Sequence, residues 1–256
     1  SSALPEYPAP SVVVDYYLKS PVSGDILLKV LNVEKKVIRA FTSKGGNTGT
    51  DRKESAPAMA TGFVEAGYSD ALVKSAGQHR FEWDMRHLGS WNPTGARSSR
   101  GAPMVAPGTY YIELTIDGQT ETQSFQLLMD PRQKSAGLKE SDLLAQEVFS
   151  LQVIELDSRA KMLQTELEKL LSDKSMESKK EALEKILDEM VTASGRYMTP
   201  MLLGQVAYLR GMTDQADQRP GKDALDRYTE LKVWYNRLLR QFNEIQGNNA
   251  EIKPLD

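Results

Sequence analysis

Two histidines, His79 and His87, are the only imidazoles in the chain, and cysteine is absent. Hydrolytic zinc needs ligands that converge, as two histidines four apart on a helix do. An eight-residue separation across a strand end supplies no such spacing, so both histidines read as strand or turn residues. Without cysteine there is no disulfide, thiol nucleophile or thiolate metal site. Glu82 and Asp84 share a strand face at i and i+2. Glycoside hydrolysis instead needs two carboxyls flanking a bond across a cleft. Asp84 is therefore expected to cap the turn after its strand, with Glu82 solvated or paired to Arg80 or a neighbouring strand. Gly45, Gly46 and Gly49 lack the Gly-Lys-Ser/Thr ending and the strand-to-helix setting of a phosphate loop. The expected catalytic, cofactor-binding and metal sets are empty.

Residues suited to contact rather than reaction are few. Trp83 and Trp234 fall on or beside apolar faces and read as core. Trp91 lies between Gly89-Ser90 and Asn92-Pro93, where an aromatic side chain in a loop can serve recognition. The following run, Thr94-Gly95-Ala96-Arg97-Ser98-Ser99-Arg100-Gly101, carries two arginines without interleaved aromatics and reads as a solvated excursion. Trp91, Arg97 and Arg100 are the candidate interaction residues.

These residues must be positioned by elements that the 256-residue chain can build as two domains. Its 40% hydrophobic and 26% charged residues are the balance of a folded protein. The net charge of −3 offers no footprint for a nucleic-acid backbone or an anionic membrane surface. No stretch approaches the roughly 20 apolar residues that span a bilayer. The chain begins Ser-Ser-Ala-Leu-Pro without Met or an apolar leader, which reads as a processed form or a fragment of something longer.

Val12 to Leu18, Asp25 to Leu31 and Lys36 to Thr42 read as strands, rich in β-branched and aromatic residues between turn formers. Residues 43–76, rich in Gly, Ser, Thr and Ala, read as a long loop with at most a short strand inside. Gln78 to Met85 resumes the sheet with His79, Phe81 and Trp83 on one face. Thr109 to Ile116 and Thr120 to Leu128 form a hairpin about Asp117-Gly118, both tolerant of positive φ. Asp130-Pro131 closes the strands and sets the expected domain boundary, 1–131 against 132–256.

Beyond Glu140 the period changes. Ala145, Phe149, Val153, Leu156, Ala160, Leu163, Leu167 and Leu170 form one helical stripe. Leu183, Ile186, Leu187, Met190 and Val191 form a second, on a helix expected to end near Gly195. Thr199-Pro200 is the expected cap and first turn of a third helix. Tyr228, Leu231, Tyr235, Leu238, Phe242 and Ile245 mark a last long one. Four helices with short links predict an antiparallel bundle or hairpin.

Val13-Asp15-Tyr16-Tyr17-Leu18, Gly24 to Val30, Val37 to Phe41, Gly77 to Arg86, Ala106 to Tyr110, Met129-Asp130-Pro131-Arg132 and Ser141-Asp142-Leu143 together resemble the C-terminal part of large bacterial BNR-repeat proteins, often labelled glycosyl hydrolase or sortilin-like. The resemblance covers residues 12–245. It implies an α+β chain of segregated domains: an Ig-like β-sandwich, similar to that of the flagellar hook-capping protein, then the helical tail. In that family a β-propeller precedes this part, and members are typically exported in bacteria such as Bacteroidetes. No Asp-box is present here, so the family's catalysis does not carry over. The resemblance implies a non-catalytic accessory module, periplasmic or at the outer membrane and cell surface, whose partner is its own N-terminal propeller or a surface complex. Carbohydrate binding through loop aromatics near Trp91 is the alternative. Neither reading involves a cofactor, nucleic acid or a membrane span.

Overall fold

The computed structural model describes residues 10–44, 71–93, 97–99, 101–246 and 252–256. It is an α+β protein, with two antiparallel sheets and five α-helices among the described residues. The chain divides into two compact units, one of Ser1–Gly89 and Ala96–Gln133, the other of Ser90–Gly95 and Lys134–Asp256.

The first unit holds all six strands: β1 Val12–Leu18, β2 Ile26–Leu31, β3 Val37–Thr42, β4 Gly77–Trp83, β5 Gly108–Ile116 and β6 Gln119–Leu127. One sheet has the order β3-β2-β5-β6, and the other is β1-β4 alone. Period-two alternation decides which side chains meet. Tyr16 and Leu18, Phe81 and Trp83, Ile26, Leu28 and Val30, Phe41, Tyr110 and Ile112 form one buried apolar cluster drawn from both sheets. Phe41 and Phe81 meet with ring centroids 4.6 Å apart.

The turns follow local chemistry. Asn32 Oδ1 accepts from the amides of Glu34 and Lys36, which lets Lys35 hold a positive φ of 60° in the β2–β3 link. Asp117 and Gly118 have φ of 48° and 81°, as a two-residue hairpin with the twist of its strands requires. Asp84 Oδ1 accepts from the Arg86 amide at 3.2 Å, the expected turn cap. Arg80 pairs with Asp15 across β1–β4 through two 2.9 Å bonds, so its partner is the neighbouring strand and not Glu82. Of the long segment expected as a loop, residues 45–70 lie outside the described residues. At its end Leu72 is buried in the strand core, and the Tyr16 hydroxyl bonds both backbone groups of Val73.

The second unit contains α1 Pro131–Ser135, in part, and then α2 Glu140–Leu171, α3 Lys180–Met190, α4 Leu202–Thr213 and α5 Lys222–Gln246. The expected stripes become its core: Leu156, Leu163, Leu167, Leu183, Met190, Leu202, Leu231 and Leu238 are fully buried together. Two expectations need correction. The α3 helix ends at Met190, where Val191 turns extended, and not near Gly195. The α4 helix starts at Leu202, and Thr199-Pro200 is not its cap. The Met201 amide instead donates to Thr192 Oγ1 at 2.9 Å, so a residue distant in sequence supplies the acceptor that local pattern assigned to Thr199. The polar break Ser172–Ser178 contains a 3₁₀ turn whose start is capped by the Asp173 carboxylate.

Glu189 of α3 accepts from Arg237 and from Trp234 Nε1 of α5, and the guanidinium holds its carboxyl below the ordinary value near 4.5. A depressed carboxyl pKa contributes stability above the unfolded value and loses it as pH falls through the folded one. Thermal unfolding of Glu189→Gln is therefore expected to lose less with acidification below about pH 4.5 than that of the parent chain. At the alkaline end, burial pushes the Tyr235 phenol well up. One tyrosine should stay un-ionised in ultraviolet titration until the helical unit opens.

Candidate interaction site

A groove of about 210 Å³ opens in the first unit between the last strand of each sheet. Its lining includes Val12, Val13, Val14, Asp15 and Tyr16, five consecutive residues of β1. Successive side chains point to opposite faces of a strand, so a consecutive run means that β1 presents its edge rather than a face. Gln123, Ser124 and Phe125 do the same for β6. Ile112 and Leu114 of β5 lie at the base.

The edges are open because β1 pairs only with β4, and β6 only with β5, among the described residues. Two strands oppose four. The core-facing positions of β5 and β6 therefore lose cover toward the β6 side. Ile112 is opposite Gln123 and Leu114 opposite Glu121 in the ladder, so these four share one face. That face is apolar on β5 and polar on β6 from Gln123 outward. Val12 and Val14 point to the core face yet remain half-buried, unlike Tyr16 and Leu18 further along the strand.

Electrostatically the groove is lopsided. The Asp15 carboxylate, held below its usual range by hydrogen bonding to Arg80, is already paired. Glu121 is exposed and has no ion pair among the described residues.

The residues singled out from sequence lie elsewhere. Trp91 belongs to the second unit and is half-buried, its amide donating to Ser158 Oγ at 3.0 Å. Arg97 belongs to the first unit, where its guanidinium donates to the Gly89 carbonyl at 2.7 Å and reaches that of Leu88 at 3.5 Å. Arg100 lies outside the described residues. Trp91 and Arg97 are thus in different units, each tied to local partners.

Beside Trp91 the second unit contains a polar node that the helical pattern did not announce. Asp157 of α2 is 1% exposed. Its Oδ2 accepts from Ser90 Oγ at 2.5 Å, Arg210 Nη1 at 2.7 Å and Lys161 Nζ at 2.8 Å, while Oδ1 has no hydrogen-bond partner. Two cations and a hydroxyl on one oxygen stabilise a buried carboxylate and fix Ser90 on α2 and α4. Oδ2 is thus engaged three times, which ties α2, α4 and Ser90 together. Among the described residues no group of three or more His, Asp or Glu is placed to hold a metal. No described helix is long and apolar enough to cross a membrane.

The groove residues escaped sequence reasoning because Val12, Val14, Ile112, Leu114 and Phe125 look like ordinary core. One signal was present: Gln119–Ser124 is polar at every position, so the inward side of β6 carries no apolar residue before Phe125. A strand of that kind belongs at an edge.

No family model matches the chain, and no curated protein matches it.

Asp157→Ala is expected to lower stability by about 1.5–3 kcal/mol, the range for a hydrogen bond to a charged group. Lys161 and Arg210 are about a third exposed and can turn to water, which keeps the loss below that of a wholly buried pair. Urea unfolding monitored by far-ultraviolet circular dichroism checks it.

Proposed function

We propose that this chain is a non-catalytic structural and protein-interaction module, an Ig-like sandwich joined to an antiparallel helical bundle. In this reading it is the accessory C-terminal part of an exported, propeller-bearing protein of the BNR-repeat type, or a subunit of a surface complex. The observation that carries the interaction reading is the groove between two strand edges that are unpaired among the described residues. Folded proteins ordinarily pair, cover or charge such edges, because open backbone groups recruit other strands. Here the edge of β1 is flanked by valines and opens onto Ile112 and Leu114.

A sugar platform fits less well. It needs an aromatic face open to solvent with polar groups around it, whereas Trp91 is half-buried and its backbone is pinned to α2. The 210 Å³ groove is also smaller than the roughly 300–1,000 Å³ of small-molecule sites.

Isolation from the native source under mild conditions, followed by mass spectrometry, tests the reading. The expected result is one polypeptide at constant ratio, either a propeller-bearing product of the same gene or a dedicated partner. A solitary monomer that instead binds glycans, and loses them on Trp91→Ala, would overturn it.

A further inference from the structure

We propose that the groove receives an extended segment of a partner protein, which pairs with the free edge of β1 as a third strand of the two-stranded sheet. This rests on the interaction-module reading and names the chemistry of the partner.

The geometry gives the segment its properties. A strand beside β1 satisfies the backbone groups that Val12–Leu18 turn away from β4. It also lies over the uncovered positions of β5 and β6. Its alternate side chains then meet Leu114, Ile112 and Phe125 and must be apolar, while the intervening ones face outward beside Val13 and Asp15. Val12–Tyr16 spans about 13 Å at about 3.3 Å per residue, so roughly five to seven residues fill the site. Toward Glu121 the floor becomes acidic, and Asp15 is already neutralised by Arg80. The matching segment carries a lysine or arginine at that end.

A second copy of this chain is the weaker occupant. Among the described residues its edge strands are β1, β4, β3 and β6: β1 has no lysine or arginine to meet Glu121, the arginines of β3 and β4 are paired with Asp84 and Asp15, and β6 would bring the polar run Gln119–Ser124 to an apolar floor, with a glutamate facing a glutamate.

The test uses the full chain and labelled nine-residue peptides of alternating isoleucine and threonine with lysine at one end, read by fluorescence anisotropy. Binding is expected, weakened at least about tenfold when alternate peptide amides are N-methylated, because that removes ladder donors without altering side chains. Val14→Lys should weaken it similarly in a chain that still melts cooperatively, and Glu121→Lys should shift preference to a glutamate-ended peptide. Equal binding of the N-methylated peptide, indifference to Glu121→Lys, or no binding of any alternating peptide overturns strand addition. Concentration-dependent dimerisation lost on Val14→Lys would assign the groove to a second copy and overturn it too. A native partner retained by the Val14→Lys chain would sink this inference while leaving the interaction reading standing.

Discussion

Every strand has two rows of backbone hydrogen-bonding groups, and in the first unit β1 spends one row on β4 and leaves the other open among the described residues. The groove beside that edge follows from it. A sheet of two strands cannot cover a sheet of four, so Val12 and Val14 stay half-buried and Ile112 and Leu114 meet a groove. The β6 strand adapts by being polar, which protects its own edge and leaves Glu121 without an ion partner among the described residues. Trp83, Phe41 and Tyr110 are buried in the same cluster, with Trp83 and Tyr110 edge to face, so the strands beside the groove rest on packed aromatics.

The helical unit follows a different logic. Its apolar stripes are covered within the unit by one another, with Ile252 and Leu255 packed against the same core. Its buried charge is at Asp157, and there the carboxylate is bracketed by Arg210, Lys161 and Ser90. A buried carboxylate so bracketed orders the residues around it, and here it holds Ser90 against the helices.

Much of the fold was legible because both periods are strong. The six strands sit within a residue or two of where alternation and turn formers put them, and Asp117-Gly118 carries the positive φ angles that its residue types favour. The stripes of α2 and α5 predict their buried residues for the same reason. What failed was capping that depends on tertiary contact: Thr199 looks like an N-cap in sequence, but Thr192 does the accepting. The site failed for a related reason. Whether a valine faces a neighbour or a groove depends on how many strands lie in the opposing sheet, a count that no local pattern encodes. Asp157 is likewise indistinguishable in sequence from any solvated carboxylate on a long helix, because its nearby partner Lys161 looks like an ordinary surface pair and the other two, Arg210 and Ser90, are 53 and 67 residues away.

Amide hydrogen exchange along Val12–Leu18 in the isolated chain is the most direct measurement of the open edge. Alternating behaviour is expected, with the amides that donate to β4 protected and the intervening ones exchanging rapidly, as befits a strand paired on one side only. Uniform protection along the whole of β1 would mean that its second edge is already paired, and would contradict the account.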